Sequence, residues 1–163
     1  MLYTMYMSYQ GKYQPEYPRK YKGDPTNIVY RSLWERKFMK YCDLNESVYQ
    51  WQSEEFFIPY KSPLDNKYHR YFPDFFIKYV DATGRKRAMV IEVKPKKQLV
   101  MPEKNPKRKT KSWVKSVETW VVNQAKWKAA EEYCADRNYE FKIMTEDDLG
   151  ISNDNRRNTK RSR

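Results

Sequence analysis

Three side chains carry the chemistry that this sequence can offer. Asp74 follows Pro73, and after 17 intervening residues comes Glu92-Val93-Lys94. Two acids and a lysine in that order suit the hydrolysis of a phosphodiester. Such a reaction uses a divalent cation to polarise the phosphoryl oxygen and to acidify a bound water, and a positive group to meet the charge that develops. Hard cations take carboxylate oxygens, and Mg²⁺ keeps several of its waters, so one or two acids on a rigid sheet are enough. In a strand, the i, i+2 spacing sets Glu92 and Lys94 on one face about 7 Å apart. Asp74 joins them if its strand pairs with theirs across a short turn.

The surrounding pattern predicts that pairing. Residues 48 to 80 are aromatic and β-branched, and Ser62-Pro63-Leu64-Asp65-Asn66-Lys67 supplies turn chemistry between two strands, the second running from about Tyr68 to Val80. Within it Phe75, Ile77 and Tyr79 alternate with Asp74, Phe76 and Lys78. Asp81-Ala82-Thr83-Gly84 turns the chain into a third strand, Arg87 to Lys94, with Met89, Ile91 and Val93 on one face and Val90, Glu92 and Lys94 on the other. Upstream, Asp24-Pro25 has the chemistry of a helix start, and Tyr30, Leu33, Trp34, Phe38 and Tyr41 repeat at helical spacing to about Cys42, with Glu35 beside the stripe. Downstream, three prolines and seven basic residues make 95–112 a basic loop. A long helix follows, from Trp113 to a left-handed cap at Asn138, and then a strand over Tyr139 to Met144. A last strand that returns after a helical crossover implies an α/β fold, with a mixed sheet of about four strands flanked by helices.

The chain has 163 residues and is 39% hydrophobic, which fits one compact domain. Lys and Arg number 33 against 21 Asp and Glu, a formal charge of +12, so the expected partner is a polyanion, nucleic acid first. No apolar run is long enough to span a bilayer, and the first 12 residues lack the pattern of a secretory signal, so no membrane partner is expected and residence should be cytoplasmic. Two cysteines, Cys42 and Cys134, and a lone His69 provide neither a disulfide framework nor a zinc motif. Both cysteines read as small core residues of helices. Three parts are expected: a Tyr-rich, Pro-interrupted leader over 1–23, lying extended over the domain or over a partner; a catalytic domain over 24–150; and a basic tail over 151–163.

An acid on one strand and an acid-x-Lys on the next, with a helix before and a helix and strand after, resembles the PD-(D/E)xK nuclease superfamily and its restriction-endonuclease-like core. Tyr30-Arg31-Ser32-Leu33-Trp34-Glu35-Arg36-Lys37-Phe38, Ala129-Ala130-Glu131-Glu132-Tyr133-Cys134 and Phe141-Lys142-Ile143-Met144-Thr145-Glu146 are similar to the first helix and the closing helix and strand of the TnsA-like endonucleases. That group has Gln-x-Lys where this chain has Glu92-Val93-Lys94. Tyr21-Lys22-Gly23-Asp24-Pro25-Thr26-Asn27 and His69-Arg70-Tyr71-Phe72-Pro73-Asp74-Phe75-Phe76 resemble the head completion nucleases of large contractile-tailed phages, over most of the chain.

The resemblance implies a DNA endonuclease, and an exonuclease as well, that uses Mg²⁺ or Mn²⁺ during head completion and head-tail joining. Its setting would be the host cytoplasm or the virion, and its partners double-stranded DNA without sequence preference and head, portal or neck proteins. Asp74 and Glu92 would hold the metal, with the Val93 carbonyl as a third ligand. Lys94 would orient the attacking water or stabilise the phosphate, and Glu35 would approach from the helix side. Lys96, Lys97, Lys104, Lys107, Arg108, Lys109 and Lys111 follow Lys94 closely and are expected along the DNA backbone. Gln124 is a candidate DNA contact on the inner part of the late helix. Gln98 and His69 are weaker candidates. The competing readings are a non-catalytic head-completion or neck protein that keeps the fold, and an endonuclease of transposon ends or junctions. The complete acid, acid, lysine set argues against the first, and the leader gives no support to the second.

Overall fold

The computed structural model describes residues 9–151. Its centre is a four-stranded mixed sheet in the order β3-β6-β7-β8, formed by Val48–Ser53, Phe75–Val80, Lys86–Val93 and Glu140–Met144. The first two pairings are antiparallel and β7 with β8 is parallel. Helix α1, Leu33–Leu44, covers one face, where Trp34, Phe38, Met39 and Cys42 meet Trp51, Phe75, Ile77, Ile91 and Val93. Helix α2, Lys111–Asp136, makes the crossover to β8 and covers the other face. There Trp127 and Ala130 pack with a separate hairpin, β4 (Ile58–Lys61) and β5 (Tyr68–Tyr71). This is the expected restriction-endonuclease-like α/β core, and both cysteines are buried in helices as expected.

The local chemistry explains where the elements end. Thr110 caps α2 by accepting from the Trp113 amide at 3.1 Å, and Asn138, at φ 56°, takes the left-handed position after its last turn. The Asp81–Gly84 turn sets the β6–β7 register that brings Phe75 opposite Ile91.

Two expectations need correction. Asp24-Pro25 does not start a helix: Asp24 Oδ1 accepts from the Thr26 amide at 2.9 Å and from its hydroxyl at 2.6 Å, closing a turn. The residues beyond it, Ile28–Tyr30, form β2 against β1 (Gly11–Tyr13), and α1 begins only after Ser32, whose Oγ accepts from the Glu35 amide at 3.1 Å. The strand expected over Tyr68 to Val80 is two strands, β5 and β6, in different sheets. It breaks at Phe72-Pro73-Asp74, because Pro73 has no amide to give to a ladder. The stretch from Val48 to Lys61 is divided in the same way into β3 and β4.

The described part of the leader lies on the domain. Asp43, fully buried in α1, accepts from Tyr13 Oη and from the amides of Glu16 and Tyr17 at 2.8 to 2.9 Å. Tyr21 sets its ring edge-on to Trp51, with centroids 4.7 Å apart. Tyr3, Tyr6 and the tail arginines and lysines of 152–163 fall outside the described residues.

Candidate active site

The break at Phe72–Asp74 positions the site. It leaves Asp74 at the start of β6, beside the end of β7, where the Val93 amide donates to Asp74 Oδ2 at 2.7 Å. Glu92 and Lys94 leave β7 on the face opposite the α1 core, and Lys94 Nζ lies 3.2 Å from Glu92 Oε1. From the hairpin Tyr71 donates its hydroxyl to Glu92 Oε2 at 2.6 Å. Both oxygens of this buried carboxylate are thus held. Glu35 enters from the first turn of α1, its Oε2 accepting from the Arg31 amide at 2.8 Å.

Asp74, Lys94 and Glu35 share one cleft of about 1100 Å³, whose opposite wall is α2 through Lys115, Trp120 and Asn123. Arg31 and Glu54 form an ion pair on its wall. Burial, then the charges of Glu92 and Glu35, push the Asp74 carboxyl well above the ordinary carboxylate range, against the opposing pull of Lys94 and the Val93 amide. Glu35 is also raised, first by burial and then by Glu54 and Glu92, while the Arg31 amide opposes the shift. Among the described residues no group of three or more His, Cys, Asp or Glu side chains is placed to hold a metal ion. Mg²⁺ does not need three, since a pair of carboxylates and waters satisfies it. Asp74 and Glu35 at an open cleft, with the buried Glu92 beside them, are carboxylates of the kind a divalent cation takes, and Asp74 and Glu92, with Glu35 nearby, are the residues that could hold one.

The structure brings Asp74, Glu92, Lys94 and Glu35 together and distributes the other candidates unevenly. Lys97 and Gln98 line the cleft. Lys96 turns away: its amide donates to Glu146 at 2.8 Å and its Nζ to Asp147 at 3.0 Å. Lys104, Lys107, Arg108, Lys109 and Lys111 are exposed, the last as the first residue of α2. Gln124 is exposed rather than inward, because one residue of helix rotation puts buried Asn123 on the cleft in its place. His69 pairs with Asp65 at 2.7 Å on the hairpin turn.

Besides cleft-lining residues such as Asn123 and Lys115, two residues near Glu92 escaped the sequence reading. One is Tyr71, the donor to Glu92. The other is Lys126 on α2, whose Nζ stands 5.6 Å from the centre of the Tyr71 ring and 5.7 Å from that of Tyr60. Its pKa is lowered by burial first and also by Lys94, while Glu92 and Asp74 pull it up. A lysine on the same stripe as Asn123, Trp127 and Ala130 was the signal that could have found it.

A four-stranded mixed sheet with two acids and a lysine at the meeting of β6 and β7 defines a class, and the chain belongs to the TnsA-like endonuclease family, whose N-terminal domain model matches residues 45–146. It is also similar to the head completion nuclease of Enterobacteria phage T4, with 40% identity over 146 residues that cover 88% of this chain and 95% of that protein. No helix among the described residues is long and apolar enough to cross a membrane.

Proposed function

We propose that this chain is a divalent-metal-dependent DNA nuclease of phage head completion, cutting or trimming DNA as filled heads are finished and joined to tails. The observation that carries the reading is the meeting of Asp74, Lys94 and Glu35 at one cleft, with the buried Glu92 paired to Lys94 behind it. The similarity to a protein named head completion nuclease supplies the occasion.

In this reading Asp74, Glu92 and the Val93 carbonyl hold Mg²⁺ or Mn²⁺, and Glu35 approaches the same ion or its waters. The ion, when bound, polarises the phosphodiester and lowers the pKa of a water. Lys94 Nζ, anchored to Glu92, presents a fixed positive charge at the cleft, where it orients the nucleophile or steadies the phosphate. The Val93 amide fixes the Asp74 carboxylate, and Tyr71 fixes Glu92, so neither acid must reorganise during the reaction. Lys97 and Lys115 on the cleft walls, with the exposed bases of 104–111, follow the phosphate backbone of double-stranded DNA without reading sequence. The catalytic domain spans 24–150, and the work takes place in the host cytoplasm during virion assembly, with portal or neck proteins as partners. Both endonuclease and exonuclease activity are expected.

Purified protein with Mg²⁺ should nick or linearise supercoiled plasmid, and Asp74→Ala and Glu92→Ala should not. Variants that cut like wild type would show that the site is misassigned. If wild type does not cut, and phage carrying the two variants still complete their heads, the role is structural.

A further inference from the structure

Among the described residues, none packs on the outer face of the β4–β5 hairpin. Its inner residues Ile58, Tyr60 and Tyr71 are buried with α2, so the alternate positions point away from the domain. The antiparallel register sets Pro59 beside Arg70 and Lys61 beside Tyr68. One step further along, Phe57 and Phe72 stand with ring centroids 5.8 Å apart. All six residues are exposed, with Phe57 at 44% and Phe72 at 46%. The Arg70 guanidinium lies 4.9 Å over the Phe57 ring. This face therefore offers three aromatic rings and two cations and no acid, and an exposed cluster of that kind marks a contact surface. It also adjoins the chemistry: Phe72 is two residues from Asp74, within about 7 Å along the chain.

We propose that this face is a stacking platform for unpaired nucleobases at a DNA end, with Phe57 and Phe72 taking base faces and Lys61 and Arg70 taking the adjoining phosphates. The proposal rests on the nuclease reading and adds to it a preference for DNA with a frayed or single-stranded terminus. In an intact duplex each base face is covered by its neighbours, so an exposed ring finds a base only where pairing has ended. Stacking of this kind tolerates any sequence, because every base has a π face. The two cations and the lack of acids on the face match a polyanion, as does the charge of the whole chain.

The test is equilibrium binding in EDTA, where no cutting confuses the reading, of a flush-ended duplex and of the same duplex with a short unpaired tail carrying 2-aminopurine. Wild type should prefer the tailed DNA and quench the probe. Phe57→Ala and Phe72→Ala should each lower affinity for tailed DNA about fivefold or more and leave the flush duplex unchanged. Phe57→Leu keeps the apolar volume without the π face and should behave like Phe57→Ala; wild-type binding by that variant would overturn stacking. Unchanged affinity for the tail in both alanine variants would overturn the proposal and leave the face to a protein partner, and equal losses on the two DNAs would overturn it as well. Mg²⁺-dependent cleavage of flush DNA is read separately. A chain that prefers tails but never cuts fails only the nuclease reading, and one that cuts without preferring tails fails only this proposal.

Discussion

Tyr71→Phe removes one oxygen atom and tests how Glu92, the proposed metal ligand, is held. Glu92 is buried, and its Oε2 accepts from Tyr71 at 2.6 Å while its Oε1 faces Lys94 at 3.2 Å. A hydrogen bond to a charged group contributes about 1.5–3 kcal/mol, and here the acceptor left behind has no easy access to water. The phenyl ring still fills the space against Trp127 and Ala130, so no cavity opens. The expected loss for the metal-free protein is thus about 1.5–3 kcal/mol in urea unfolding, or roughly 3 to 12 °C in Tm for a domain of this size. Groups that orient a metal ligand typically change metal affinity or activity by about 10- to 100-fold. The Mg²⁺ concentration for half-maximal cleavage should therefore rise by about that factor, with a smaller change in the rate at saturating Mg²⁺. Wild-type stability together with a wild-type Mg²⁺ requirement would refute the claim that Tyr71 holds Glu92 in place.

Three further outcomes follow from the same geometry. Asp74 and Glu35 have raised pKa values in the fold, so the stability they contribute to the metal-free protein is fully present below their unfolded values, and it is lost as pH rises through the folded ones; thermal melts in EDTA should show that decline in wild type and a weaker one in Asp74→Asn. Protons and the metal compete for the same oxygens, so the Mg²⁺ needed for half-maximal cleavage should fall as pH rises, and a pH-independent requirement would contradict the assignment. Asp43→Ala leaves Tyr13 Oη and the amides of Glu16 and Tyr17 without their acceptor; the expected loss is at least about 3 kcal/mol by urea unfolding, with faster proteolysis between residues 9 and 23, and an unchanged digestion pattern would show that this clasp does not hold the leader.

How far the sequence reveals this molecule depends on the range of the interaction concerned. The β6–β7 hairpin, its faces and the acid, acid, lysine set follow from alternation and a four-residue turn, which are local signals. The start of α1 is local too, since Ser32 and Glu35 carry capping chemistry; Asp24-Pro25 offers an equally good local signal, and only the pairing of Ile28–Tyr30 with Gly11–Tyr13 decides between them. The break within Tyr68–Val80 has a local signal in Pro73, but the packing of the β4–β5 hairpin on α2 is long-range, and periodicity cannot report it. The same holds for the residues around Glu92. Tyr71 reaches it across 21 residues, and Lys126 approaches from a helix that packs on the hairpin only in the folded chain. Gln124 shows the opposite limit: helical spacing places it on α2, but a rotation of one residue leaves it exposed and turns Asn123 to the cleft.

The proposed function requires that Asp74 and Glu92 serve one metal-assisted cleavage. The most direct measurement is the single-turnover rate of cutting a defined duplex as Mg²⁺ is titrated, for wild type, Asp74→Asn and Glu92→Gln. No cutting in EDTA, a saturable rise in wild type with Mg²⁺, and rates at least about 100-fold lower in both variants are the expected results. Cutting in EDTA, or wild-type rates in either variant, would contradict it.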